Sequence, residues 1–445
     1  VGEGPRVRPT GGAEGRRTGD EPEWRKFFMS AEPVAGSGGP FIDPALWRGL
    51  TQRRISRRDA LGVAGKGAGL LSMAALLASC GIAGSAERRG APVDWATYWK
   101  DQKPTKQLNF ANWPLYIDSE HGKTMSLELF TKATGIKVAY DPVIQSDDSF
   151  YATVEPELAA QEVTGYDIMV ITNGWYLTQL INNGFLNELD FSKIPNFFKY
   201  ASPLVKNPSY DPGNKHSVTW QTGFTGIAYN TKMIKREITS FNDLADPAFS
   251  GHVGMLNDNV ELGSAALLRM GIDPVSSNQA QWKESSKWLE KQRPLVAGYY
   301  DQSYISHLEN GDTWISQAYS GDIFQANLAG YPHLKYVTPK EGQIVWHDNM
   351  VIPRQAQNAL SALAWMNFYY TPKIAGIVED WVSYVCPVPA ARTYILDVIK
   401  DPTVANSSLV FPSPTADKLS HGYYIYRDFN EYQAWNDVFN PIIES

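Results

Sequence analysis

Two cysteines in 445 residues exclude a disulfide-stapled scaffold. With neither a CxxC pair nor a Cys/His cluster, they also exclude a structural zinc site. Histidine is scarce too, at 7 residues. There is no GxSxG, HExxH, Walker-type phosphate loop or Gly-rich dinucleotide fingerprint, so the motif-bearing hydrolases, zinc peptidases, nucleotidases and NAD enzymes fall away. Asp258 and Glu261 would suit general acid–base work, but no nucleophile or metal set accompanies them. Neither an enzyme nor a cofactor is therefore expected. A basic excess is missing where a nucleic-acid partner would need one. Residues 1–79 hold 12 Lys/Arg against 8 Asp/Glu, whereas residues 80–445 hold 28 against 39. An acidic body of this kind favours solubility and, more weakly, cationic ligands.

What the chain does have is aromatic rings, 12% of all residues, with 14 Trp and 23 Tyr. That supply suggests a cleft that uses flat rings for more than packing. The chain also carries an export pattern. Arg57 and Arg58 after Ser56 open a basic stretch that resembles a twin-arginine signal, a weakly apolar run follows from Val63 to Ala78, and Leu77-Ala78-Ser79-Cys80 resembles a bacterial lipobox. Cys80 would then carry the lipid anchor, leaving Cys386 unpaired. Residues 1–50 read as a disordered or non-native extension, 51–80 as the lipoprotein signal and 81–106 as a linker.

From Leu108 onward strand-like and helix-like runs alternate. Leu108–Asn112, Ile136–Val143, Tyr166–Ile171, Ile227–Asn230, Gly254–Leu256, Thr313–Ala318 and Gly342–Trp346 read as strands. Helices are expected over 120–134, ending at Gly135, through Asn183, from Ser240, over Gln279–Gln292 and over Ala356–Tyr369. This rhythm predicts an α/β protein of two lobes, each a mixed, mostly parallel sheet flanked by helices, with the ligand cleft between them at the carboxyl ends of strands.

Acids and aromatics recur together at those strand ends: Trp113 and Tyr116, Asp258 and Glu261, Tyr319 and Asp322, Trp346 and Asp348. A ligand with several ammonium groups joined by methylenes needs such carboxylates for its nitrogens, and rings for both its methylenes and its charges. The spacing of Asp258 and Glu261 predicts that both meet one ammonium, while Asp322 and Asp348 meet another.

The segments Asn112–Tyr116, Leu129–Tyr140, Tyr166–Val170, Asp258–Glu261, Tyr319–Asp322, Pro339–Asp348 and Tyr384–Arg392 resemble the substrate-binding proteins of spermidine/putrescine ABC importers. The resemblance runs from about residue 107 to 395 and fades in the last 50 residues. It implies a type II periplasmic-binding-protein-like fold, with lobe 1 made of 107–223 and 346–392 and lobe 2 of 224–345 and 393–445. It also implies a polyamine box of Trp113, Tyr116, Asp258, Glu261, Asp322, Trp346, Asp348 and Tyr384. Tyr319 stands where many relatives have Trp, Trp175 falls where a Ser/Tyr pair is usual, and Tyr424 and Tyr426 are candidates without a motif. The implied role is a monomeric, lipid-anchored receptor in the cell envelope, periplasmic or on the outer face of the cytoplasmic membrane, that hands polyamines to an ABC permease. The remaining alternatives are the same fold holding another amine, an amino acid or a sugar and, more remotely, a secreted hydrolase.

Overall fold

A computed structural model describes residues 93–444 apart from 120–122, 414, 415 and 417. The export pattern with Arg57, Arg58 and Cys80, and the extension before it, lie outside the described residues.

Ten strands are present among the described residues: β1 Gln107–Ala111, β2 Lys137–Asp141, β3 Ile168–Thr172, β4 Ser217–Asn230, β5 Val253–Leu256, β6 Val296–Tyr300, β7 Ile315–Tyr319, β8 Leu334–Val337, β9 Gln343–Val351 and β10 Ser420–His421. The helices of eight or more residues are α1 Met125–Thr134, α2 Asp147–Ala160, α3 Trp175–Asn182, α4 Asn259–Arg269, α5 Gln279–Gln292, α6 Ser320–Leu328, α7 Ala359–Tyr369, α8 Pro372–Val382 and α9 Phe429–Glu444. The strands form one ladder in the order β2-β1-β3-β9-β4-β7-β5-β6, with β8 beside β4 and β10 beside β9. The pairs β1–β2, β1–β3, β5–β6, β5–β7 and β9–β10 are parallel; β3–β9, β4–β9, β4–β7 and β4–β8 are antiparallel.

Local chemistry accounts for the elements. Buried runs such as Ile168-Met169-Val170-Ile171 suit strands covered by helices on both faces. Helix α1 stops at Gly135, whose φ of 74° closes the last turn with an N–H to Thr131 O. Helix α5 starts on a capping box in which Asn278 and Gln281 satisfy each other's backbone N–H groups. The expected helix from Ser240 is instead a five-residue 3-10 turn, Phe241–Ala245, because Asp246 and Pro247 begin a second turn directly after it.

Two large apolar clusters divide the described chain. One gathers Leu108, Phe110, Ile168, Val170, Trp220, Met350, Trp365 and Tyr369. The other gathers Ile227, Met255, Leu262, Trp282, Ile315, Ile344 and Trp435. Strand β4 supplies Trp220 to the first and Ile227 to the second, and β9 supplies Met350 and Ile344 likewise. These two long strands therefore pass from one core to the other side by side. Close to Thr222, which pairs with His347 and bridges Val385, three segments of chain run together.

Candidate functional site

The strand ends that follow from this topology surround one cavity of about 810 Å³. Strand β9 runs antiparallel between β3 and β4, so Asp348 stands opposite Thr172 on one side and Gln221 on the other. Its carboxylate accepts from Tyr116 OH at 2.5 Å and from Thr172 Oγ1 at 2.6 Å. Burial lifts its carboxyl to about 6, and the hydrogen bonds from Thr172 and Tyr116 oppose that rise. The neighbouring His347 shares a hydrogen bond between Nδ1 and Thr222 Oγ1 at 2.8 Å, and burial pushes it down to about 3, which keeps it neutral. No protonated imidazole therefore competes for Asp348.

Trp346 forms the floor of the cavity. It fits because residue 223 is glycine: a Cβ there would fall 2.0 Å from Trp346 Cζ2. Its Nε1 donates to Thr225 Oγ1 at 3.2 Å, while Tyr319 and Tyr384 meet its ring at centroid distances of 5.9 and 5.5 Å. Tyr384 also meets Tyr116 edge-on at 5.9 Å. Trp113 is anchored through Nε1 to Val170 O at 3.1 Å. Asp258 caps α4 by accepting from Val260 N and Glu261 N, with its side chain at the cavity wall.

Of the ten residues singled out in the sequence, Trp113, Tyr116, Trp175, Asp258, Tyr319, Trp346, Asp348 and Tyr384 line the cavity. Glu261 and Asp322 do not. Glu261 is fully buried and accepts from Thr225 Oγ1 and Tyr423 OH; Asp322 is 2% exposed and accepts from Tyr304 OH and Tyr384 OH. The expectation that Asp258 and Glu261 meet a single ammonium side by side gives way to a layered arrangement. Asp258 stands at the wall and Glu261 behind Tyr423. A tyrosine that has donated its only proton inward can act toward the cavity only as an acceptor. The two buried carboxylates thus leave Tyr384 and Tyr423 as hydrogen-bond acceptors toward the cavity.

Sequence reading missed Asp147, Tyr300, Asp301, Tyr423, Phe429 and Tyr432, all of which line the cavity. Tyr300 and Asp301 obey the same rule of an aromatic and an acid at a strand end, but β6 is not among the strands expected from the sequence. Tyr426 lines the cavity as well, whereas Tyr424 packs on Trp282 and Trp435 and donates to Glu431. Six lining side chains are carboxylates and twelve are aromatic; among the described residues of the wall there is no Lys, Arg or His. No group of three or more His, Cys, Asp or Glu suited to a metal ion occurs among the described residues.

A cleft built at strand ends and walled by rings and acids suits a protein that binds a small solute. Comparison with known proteins agrees. Residues 165–402 match the bacterial extracellular solute-binding protein family. The putrescine-binding periplasmic protein SpuD of Pseudomonas aeruginosa is 33% identical over 328 residues, covering 69% of this chain and 84% of that protein. The spermidine/putrescine-binding periplasmic protein 1 of Haemophilus influenzae is 32% identical, covering 69% of this chain and 82% of that one. The crystal structure of the spermidine/putrescine ABC transporter substrate-binding protein PotD of Streptococcus pneumoniae superposes with a TM-score of 0.66 at 25% identity, over 76% of this chain and 98% of its own. The chain belongs to the bacterial extracellular solute-binding family, alongside its spermidine/putrescine-binding members, and has their α/β periplasmic-binding-protein fold. It is a binding protein and not an enzyme.

Proposed function

We propose that this chain captures polyamines of the spermidine and putrescine type outside the cytoplasmic membrane and delivers them to an ABC importer, held to the membrane as a monomer by a lipid on Cys80. The observation that carries this reading is the composition of the cavity wall: six carboxylates and twelve aromatic side chains, with no basic residue among the described ones. An anionic or zwitterionic solute would need a cation there for its carboxylate, and a sugar would not need so many acids. In this reading one ammonium pairs with Asp348, the methylenes lie against Trp346, Tyr319 and Tyr384, and a second nitrogen reaches the side of Asp258. Trp113 and Tyr116 complete the box, and Glu261 and Asp322 act through the tyrosines in front of them. The lobes divide near Gly223, Trp346 and Arg392, and closing them around the solute expels water and strengthens each charge contact inside.

Thermal unfolding with putrescine, spermidine, spermine, γ-aminobutyrate and maltose tests the proposal. A ligand present at about a hundred times its Kd adds roughly 2.7 kcal/mol of stability, so the polyamines should raise the midpoint and the other two should not. A shift with maltose and none with any amine would refute it.

A further inference from the structure

Helix α3 sits on the first core's side of the molecule, packing Leu177 and Leu180 against Ala111, Met169 and Ile171. Its first residue, Trp175, turns away from that cluster. The indole lies flat on Tyr432, with ring centroids 4.6 Å apart and planes 7° from parallel. It meets Tyr426 edge-on at 6.0 Å and Phe429 at 6.2 Å. Those three rings belong to the C-terminal segment, whose helix α9 is anchored in the other core by Trp435, Phe439 and Ile442. Phe429 is 61% exposed and Tyr426 2%, so the cluster reaches from the surface into the core, and all four rings border the cavity. The contact thus joins the two halves of the protein at the mouth of the cavity.

The sequence marks Trp175 as a ligand residue, but a ring that stacks flat on a tyrosine has one of its two faces already taken. We infer that Trp175 is a clasp: its stack on Tyr432 holds the two halves together across the cavity mouth and slows escape of the solute. This inference rests on the cavity being the solute site. Trp175 is then a positioning residue whose energy appears in the closed arrangement of the protein. Aromatic pairs of this geometry shift an equilibrium roughly two- to twelvefold beyond the effect of their buried area.

The test uses the whole chain carrying Trp175→Ala, Tyr432→Ala, both substitutions together, or Trp175→Phe. Small-angle X-ray scattering without added solute reads closure, and stopped-flow chase reads spermidine release. Either alanine should enlarge the radius of gyration and speed release roughly two- to twelvefold, the double variant should add little to the single ones, and Trp175→Phe should restore most of the effect. If Tyr432→Ala leaves both readouts at wild type while Trp175→Ala abolishes spermidine binding, Trp175 faces the solute and the clasp is wrong. If the wild-type chain binds no polyamine, the receptor reading fails. The scattering comparison then still decides the clasp, and equal radii for Trp175→Ala and wild type would overturn it.

Discussion

Asp348→Asn should weaken binding and strengthen the fold at the same time. The carboxylate is held by Tyr116 OH at 2.5 Å and Thr172 Oγ1 at 2.6 Å, and burial raises it from 3.8 to about 6. An asparagine keeps both neighbours: its oxygen accepts from Tyr116, and its amide donates to the Thr172 hydroxyl once that hydroxyl turns. A group whose proton affinity rises on folding stabilises the fold in its protonated form. That contribution is complete below the unfolded value near 3.8 and is lost as the pH rises through about 6. Two decades of proton affinity correspond to roughly 3 kcal/mol as a ceiling. At about pH 8 the solute-free variant should therefore exceed wild type by roughly 1–3 kcal/mol, and the gap should close by about pH 4. Binding moves the other way, since an ammonium left without its carboxylate costs on the order of 2–5 kcal/mol. For the wild type, spermidine affinity should fall as the pH drops below about 6, where the carboxyl takes up a proton. Chemical denaturation across pH measures the first effect and titration calorimetry the second. A variant less stable than wild type at about pH 8, or a gap indifferent to pH, would show that Asp348 carries no buried-charge penalty. Undiminished spermidine affinity would show that no ammonium sits there.

Gly223→Ala drives a methyl into the Trp346 ring and should cost roughly 1–3 kcal/mol of stability while tilting the cavity floor, read as a lower denaturation midpoint together with weaker polyamine binding. A silent substitution would mean that the ring yields freely. If Cys80 carries a lipid, as proposed, a radiolabelled fatty acid fed to the producing bacterium should mark the wild-type protein and leave Cys80→Ala unlabelled. Label on the variant would place the modification elsewhere.

Where pattern and burial coincide, the sequence was legible. Strand β3 is a buried apolar run, β1 alternates buried Leu108 and Phe110 with the polar Gln107 and Asn109, and α5 shows its start by its capping box and its course by its amphipathic face. Reading stopped short on the two strands that matter most for the cavity. The sequence pattern marks β4 only from Ile227, although the strand begins at Ser217, and β9 only to Trp346, although it continues to Val351. The missed stretches hold Thr219, Gln221, Thr222, His347, Asp348 and Asn349, polar side chains that ordinarily signal a surface or a loop. All of them are buried here. Several are held by partners distant in sequence, such as Thr222 on His347 and Tyr116 on Asp348. Periodicity records polarity and cannot see such cross-chain pairing, so it fails at the site itself. The aromatics and acids at the remaining strand ends were legible because they recur together, although each pair alone is ordinary at such a position. Which of them would face the cavity and which would stand behind a tyrosine was decided by packing that no local spacing encodes.

The C-terminal segment supplies Tyr423, Tyr426, Phe429 and Tyr432 to the cavity, yet it lies beyond residue 402, where the family match ends, and in its helical part it makes no β-ladder. The cavity is accordingly built from two inheritances, a sheet that must preserve its hydrogen-bonded register and a terminal helix that need only keep its apolar footing on Trp282 and Leu262. Substitutions along the exposed side of that helix can resize or recharge one wall without disturbing a single strand pairing. Solute preference in such a design can shift through α9 while the sheet stays constant, which makes α9 the natural segment to exchange between relatives when a new specificity is sought.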